Sequence, residues 1–258
     1  MRHDNADAAP TQPGSDGEHR LQQQFGTTLR AQRFYDDQVL DHLNERMIEF
    51  IGRMDMAFIA TADRHGDCDS SFRAGGPGFI SVIDPRTVAY PEYRGNGVMA
   101  SLGNISENPH VGILLVDFYR DLIGLHVNGS ARIFDDDLLR TIVPDLPAEE
   151  NRGRRPERWV VVEVDEAYIH CRKHIPRMRP ADRERYWGTD DPITKGGDYF
   201  GAKSERQPTP APAESVANRY VEPVHRQPVD VTPLLGGPAG VLAPESRRRQ
   251  WMRKITAR

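Results

Sequence analysis

The spacing of apolar residues changes twice along the chain. Val39, Leu43, Met47, Ile48 and Ile51 recur at helical intervals, which predicts an amphipathic helix leading into a core, with Asp36 or Asp37 as its cap. From residue 56 the pattern becomes that of short strands. MAFIATA (56–62) is rich in strand formers and runs into DRHG (63–66), a turn of Asp, Gly and polar residues. CDSSFR (68–73) reads as a second strand, GFISVID (78–84) as a third after the loop AGGPG, and TVAYP (87–91) as a fourth beyond the Asp84-Pro85 turn. Val98, Leu102 and Ile105 then stand at i, i+4 and i+7, predicting a short helix with one apolar face. Asn108-Pro109 ends it, because the residue before a proline avoids the helical region. VGILLVDF (111–118) and IGLHVNGSARIF (123–134) are long strands, and DDDLLRTIV (135–143) is a short helix with acids in its first turn. RWVVVEVDEAYIHC (158–171) supplies a last strand or strand pair.

Strands, one inserted helix, then long strands with short connections describe a mainly β protein with flanking helices (α+β), built on a closed or partly split antiparallel barrel. The expected organisation is a disordered N-terminus (1–20), an amphipathic lead-in (21–53), the barrel (54–180), a Gly- and aromatic-rich wrapping segment (181–205), and a Pro-rich arm with a basic end (206–258).

Composition narrows the function classes. Of 258 residues, 38% are hydrophobic and 28% charged, and the apolar ones concentrate in the middle, as polar extensions around an ordered centre would require. A net charge of −4 supplies no general attraction to nucleic acid or acidic membranes. The basic segment SRRRQWMRKITAR lacks an aromatic-interleaved platform and reads as a solvated terminal helix. Cys68 and Cys171 form no CxxC pair, which argues against a disulfide framework or structural zinc and for a reducing compartment. No apolar run approaches the roughly 20 residues of a membrane helix, and residues 1–20 lack the apolar core of a secretion signal, so the expectation is a cytoplasmic protein without membrane contact. Neither a Walker-type loop nor a dinucleotide GxGxxG is present.

The first candidate for chemistry is Arg94-Gly95-Asn96-Gly97, at the start of the expected helix. A helix N-terminus offers unpaired N–H groups and partial positive charge; glycines allow close approach to a phosphate, and Arg94 adds a charge. Ser101 and Asn104 lie toward the polar side of the same helix. The local sequence alone reads equally as a tight turn entering a surface helix. The second candidate is His170-Cys171-Arg172-Lys173-His174. Neighbouring strand residues point to opposite faces, so this run makes a poor metal site, and a basic strand end at the surface is the plain alternative. His126, in an alternating strand, reads as structural or solvent-facing, and Tyr90 and Tyr93 as barrel and rim aromatics. Residues 187–191 and 196–201 read either as a lid over a pocket or as an ordered surface loop.

The succession FIATADRHGDCDSSFR, GFISVID, TVAYPEYRGNGVMASLGNISENPHVGILLVDF and HVNGSARIF resembles the pyridoxamine 5'-phosphate oxidase-like superfamily of flavin-binding split barrels, over roughly residues 45 to 180. The resemblance implies a six-stranded antiparallel split barrel of Greek-key type, and FMN held at a homodimer interface. By position it implies cofactor contacts from Asn96, Ser101 and Asn104 on the helix, from Ser71 and Arg73 on the second strand, from Arg94, and from Arg172 or Lys173 after the last strand, the latter from either subunit. It implies an FMN-dependent oxidoreductase acting on a small molecule, with no catalytic residue that can be named. The alternative is a carrier or sensor that binds a flavin, a deazaflavin or haem without turnover. Where relatives commonly place basic residues after Gly-Asn, this chain has Gly97, Val98, Met99 and Ala100. The charge on a bound phosphate would then fall to Arg73, Arg94 and the Arg172-Lys173 pair. The Arg- and Trp-containing substrate segment of the vitamin-processing enzymes is not found after Lys173, which argues against pyridoxamine-phosphate oxidation itself.

Overall fold

The computed structural model of the chain describes residues 12–148, 153–181, 188, 191 and 194–206, and divides the chain into two units, Met1–Arg185 and Tyr186–Arg258. In the first unit, three helices precede the sheet: α1 (Asp16–Gln24), α2 (Thr28–Gln38) and α3 (Glu45–Arg53). The Ser15 hydroxyl caps α1 by accepting from the Glu18 N–H at 3.2 Å, so helix begins inside the stretch expected to lack order. The rest of that stretch, through residue 11, lies outside the described residues, as do most of 181–193 and all of the Pro-rich arm from 207.

The single lead-in helix expected from Val39 to Ile51 is two elements. Asp36 and Asp37 fall inside α2, whose backbone turns extended at Val39, and Leu40 makes a two-way backbone bridge to Ala167. The cap is instead Asn44, whose side-chain oxygen accepts from the Met47 N–H at 3.0 Å. From there Ile48, Phe50 and Ile51 are buried, so helical spacing identified the right apolar face one turn too early.

Seven strands follow: β1 (Met56–Ala62), β2 (Cys68–Ala74), β3 (Ser81–Asp84), β4 (Thr87–Tyr93), β5 (His110–Val116), β6 (Gly124–Asp135) and β7 (Pro156–His170). Helix α4 (Ala100–Glu107) is inserted between β4 and β5, and α5 (Asp136–Ile142) between β6 and β7. All pairings are antiparallel, in the order β2-β1-β5-β6-β7-β4-β3. This is the split barrel the sequence implied, with seven strands rather than six. The extra one is the four-residue edge strand β3, which pairs only with Thr87–Ala89 of β4.

The core lies where both faces of β4 and β7 are covered. Thr87 to Pro91 are all buried, as are Trp159 to Val162, which join Phe134, Ile59, Ile113 and Leu115. Continuous apolar runs of this kind mark strands packed on both sides. The Trp159 indole donates to Asp136 of α5 at 2.7 Å, and Arg140 donates to the same carboxylate, so the one buried acid at this end is fully engaged. Among the described residues no helix is long and apolar enough to cross a membrane.

The ladder leaves β2 and β4 unpaired to each other, and two side chains span that opening. Arg73 of β2 reaches Glu92 of β4, donating through Nε at 2.9 Å and through Nη2 at 2.8 and 3.2 Å to its two carboxylate oxygens. Glu92 lies beyond the reach of β3, where β4 has a free edge. The split is therefore closed by a forked ion pair instead of backbone hydrogen bonds.

In the second unit a turn at residues 194–200 leads into α6 (Ala202–Glu205), whose first N–H groups are accepted by Asp198, and Tyr199 and Phe200 are exposed there.

Two stability predictions follow from this packing. Gly129 sits where the β6–β7 register shifts, and a Cβ there would overlap the Glu163 carbonyl oxygen, so Gly129→Ala should lower unfolding free energy by about 2–4 kcal/mol in urea denaturation. Arg73→Met strands a mostly buried carboxylate and should lower stability by about 2–3 kcal/mol, whereas Arg73→Met with Glu92→Gln should recover most of the loss.

Candidate functional site

The site is built on the face of β2 that turns toward α4. Strand alternation puts Asp69, Ser71 and Arg73 on one side and exposes Cys68, Ser70 and Phe72 on the other. Helix α4 packs against β1, β2 and β6. Its side chain Ser101, expected on a polar surface, is buried against β2. Ile105 is buried, Leu102 is half-buried, and Val98 lies before the helix and is 73% exposed, so the apolar face is shorter than the sequence suggested.

Arg94-Gly95-Asn96-Gly97 is a loop three residues ahead of the helix, not its first turn. Asn96 folds this loop locally, its side-chain oxygen accepting from the Val98 N–H at 3.0 Å. Gly97 at φ 84° and Met99 at φ 56° both take left-handed backbone. Glycine adopts that conformation freely, whereas at Met99 it is strained by roughly 1 kcal/mol. These two positions swing the chain into α4, so that Met99 is the N-cap and no side chain caps the helix. The first-turn N–H groups of α4 thus face the cleft without an internal acceptor of the usual kind.

The cleft has a volume of about 760 Å³ and takes in Asp69, Ser71, Arg73, Glu92, Ser101 and Arg158, together with the 93–100 loop. Five of the eight residues expected to touch a cofactor converge here: Ser71, Arg73, Arg94, Asn96 and Ser101. Asn104 does not; its amide donates to Thr61 Oγ1 at 3.0 Å and ties α4 to β1. Arg172 and Lys173 lie in an exposed turn after β7, at the opposite end of that strand from Glu157 and Arg158, which line the cleft.

Sequence reasoning missed three acids. Asp69 Oδ2 accepts from Ser71 Oγ at 2.7 Å and from Ser101 Oγ at 3.0 Å, and the two hydroxyl oxygens are 2.8 Å apart. Glu92 holds Arg73, and Glu157 faces the cleft beside Arg158. The cleft therefore carries three arginines and three carboxylates. Asp69 could have been found from its two-residue spacing to Ser71 and Arg73, since all three must share a face. Glu92 and Glu157 depend on which strands meet across the split, and local pattern contains no such information.

Burial raises the Glu92 carboxyl above its usual range, and the Arg73 guanidinium opposes that rise. Tyr90, two residues earlier on the same face of β4, is fully buried and its hydroxyl has no hydrogen-bond partner. Burial pushes its pKa up, Glu92 pushes it further, and Arg73 counteracts. Tyr90 is thus a core aromatic, as expected, while Tyr93 lines the cleft.

A second cavity, of about 440 Å³, lies among α1, α2 and β7 and is lined by Glu18, Arg30, Phe34, Tyr35 and Tyr168. None of the expected site residues lies in it. Nearby, the His126 ring stacks on Tyr168 at 4.6 Å and meets His170 nitrogen to nitrogen at 3.2 Å. Burial and then the His170 charge depress the His126 pKa, which favours its neutral ring in a structural role. Among the described residues no group of three or more His, Cys, Asp or Glu side chains is placed to hold a metal ion.

Comparison with known proteins bears on this architecture. Solved structures with the same general arrangement include HupZ of Group A Streptococcus, at 20% identity over 50% of this chain and 99% of that one, with a TM-score of 0.37. A protein described as a putative pyridoxamine 5'-phosphate oxidase from Lactobacillus delbrueckii is 18% identical over 50% and 95% of the two chains, TM-score 0.39. HutZ, described as the heme storage protein of Vibrio cholerae, is 14% identical over 50% and 93%, TM-score 0.35. No curated protein matches the chain in sequence. The family model described as pyridoxamine 5'-phosphate oxidase matches residues 43–171, half of the chain, and takes in α3, the whole sheet and the α4 cleft. The chain belongs to the pyridoxamine 5'-phosphate oxidase-like family.

Proposed function

We propose that this protein is a flavin-dependent oxidoreductase that holds FMN by its phosphate in the α4 cleft. The observation that carries the reading is the convergence of Ser71, Arg73 and Ser101 at the uncapped N-terminus of α4, with Arg73 Nη2 3.5 Å from Ser101 Oγ. Hydroxyls, a guanidinium and free helix N–H groups are the donor set a phosphate needs, and the cleft volume falls within the usual range for small-ligand sites. The residues present therefore fit the phosphate end of a flavin nucleotide.

In this reading Ser71 and Ser101 donate to phosphate oxygens, Arg73 and Arg94 supply positive charge, and the left-handed turn at Met99 keeps the helix N–H groups directed at the ligand. When bound, the flavin ring supplies hydride and electron transfer, chemistry that no side chain of this cleft can perform. Val98, Met99 and Tyr93 give the apolar surface against which a ring can lie, and that contact would remove exposed Val98 and Met99 from water. Orientation and exclusion of water are the contributions of the protein; the substrate is a small molecule whose class is not fixed by these residues.

Purified protein should show flavin absorbance, or should quench FMN fluorescence on titration and release FMN on denaturation. Ser71→Ala with Ser101→Ala should weaken FMN binding by about tenfold or more. Unchanged FMN fluorescence over the whole titration refutes the reading. Steady-state oxidation of NAD(P)H, pyridoxamine phosphate or a reduced deazaflavin separates an enzyme from a carrier, and parallel titrations with a deazaflavin and with haem test those ligands.

The same reading makes the protein a homodimer. Strands β2 and β3 are open edges, the cleft is open at one side, and Phe58 and Phe72 form an exposed edge-to-face pair on the outer face of β1 and β2. Arg172 and Lys173 would contribute to a cleft only from a second copy. Sedimentation equilibrium should give about twice the 29.2 kDa chain mass, with Phe72→Asp shifting the species toward monomer; a monomeric wild-type protein at micromolar concentration refutes the dimer.

A further inference from the structure

The donors at the head of α4 already hold an anion. Ser71 and Ser101 both direct their hydroxyls at Asp69 Oδ2, and a third contact joins the two hydroxyl oxygens, so three short contacts share two hydroxyl hydrogens. Arg73, the guanidinium nearest to this cluster, is committed to Glu92 by three contacts and meets Ser101 only at 3.5 Å. A phosphate entering the cleft must take the hydroxyls from Asp69 and then stay close to its charge.

We propose that Asp69 is the selectivity residue of the cleft: a built-in carboxylate competitor that makes the site hold phosphorylated ligands weakly and exchangeably. The proposal rests on reading the cleft as a flavin nucleotide site. Its physical basis is like-charge repulsion together with competition for a fixed number of donors, each of which lowers affinity for a phosphate and leaves an uncharged ligand end untouched. Position matters as much as charge. Asp69 stands on the same face as Ser71 and Arg73 and cannot turn away without abandoning both hydroxyl bonds. Glu92, by contrast, is neutralised by its own arginine. The cleft would then discriminate by the phosphate end, and the nucleotide would come and go as a dissociable partner.

The test compares wild type, Asp69→Asn and Asp69→Ser for binding of FMN and of riboflavin by fluorescence quenching, and for stabilisation by inorganic phosphate in thermal melts. Asparagine keeps the shape and one acceptor while removing the charge; serine is the second variant should the first fold poorly. FMN should bind at least about tenfold more tightly to the variants, riboflavin should change by less than about twofold, and phosphate should raise the Tm of the variants more than that of wild type. Unchanged or weaker FMN binding overturns the proposal, as does an equal gain for FMN and riboflavin, which would place the effect at the ring. If neither flavin binds any of the three proteins, the flavin reading fails, and the phosphate melts alone decide the role of Asp69: a gain in the variants supports it and no gain overturns it.

Discussion

A sheet that pairs β2-β1-β5-β6-β7-β4-β3 has two ends, and a barrel needs them held together. Here Arg73 and Glu92 do so across the gap between β2 and β4, with a planar fork on a carboxylate of which little is exposed. The desolvation of Glu92 opposes this arrangement, as its raised pKa direction records, and the guanidinium offsets it only while the fork stays in place. The distance between β2 and β4 sets the width of the cleft, because Ser71 rides on the first strand and Tyr93 on the second. Stability of the split and geometry of the candidate site therefore depend on the same contact.

That dependence has a chemical consequence. Arg73 is the cation best placed to meet a ligand anion, yet its guanidinium is spent on closing the barrel. Ser71 and Ser101 are the best neutral donors, yet they serve Asp69. A cleft with three arginines and three acids presents little net field to an approaching anion, and its attraction for a phosphate must come from directional donors such as the uncapped helix end. This is a different balance from a site that collects basic residues around its phosphate, and it follows from the absence of cations at Gly97, Val98, Met99 and Ala100 that the sequence displays directly.

Much of the fold was legible because strands of this kind advertise themselves. The alternation in MAFIATA, the apolar run VGILLVDF and the valine block of β7 each report burial that the structure contains. The helix ends were less legible. Asn44 and Met99 both fix where a helix begins, the first through a side-chain oxygen and the second through left-handed backbone, and neither stands out from residue type alone in a chain rich in Asp and Gly. The site divides along the same line. Ser71 and Arg73 could be paired by strand period, and Ser101 by its place on the helix, but the carboxylates facing them come from Asp69 on the same face and from Glu92 and Glu157 on strands brought close only by closure of the sheet. Local patterns describe one element at a time, whereas the charge of a cleft is set by what several elements bring together.

The backbone at Met99 links these levels. A side chain that held the helix N-terminus, such as a Ser or Asp at the cap, would consume the same N–H groups that the cleft presents. The chain instead accepts a left-handed methionine, strained by roughly 1 kcal/mol, and leaves those groups directed outward. The same turn exposes Val98 and Met99 beside the cleft, where apolar surface has no stabilising role in the isolated chain. An uncapped helix end and an exposed apolar lip, each unfavourable alone, become complementary in the presence of a ligand with an anionic end and a flat apolar body. Asp69 then acts on the anionic end only, so that affinity for the body and affinity for the phosphate are set by separate residues of one cleft.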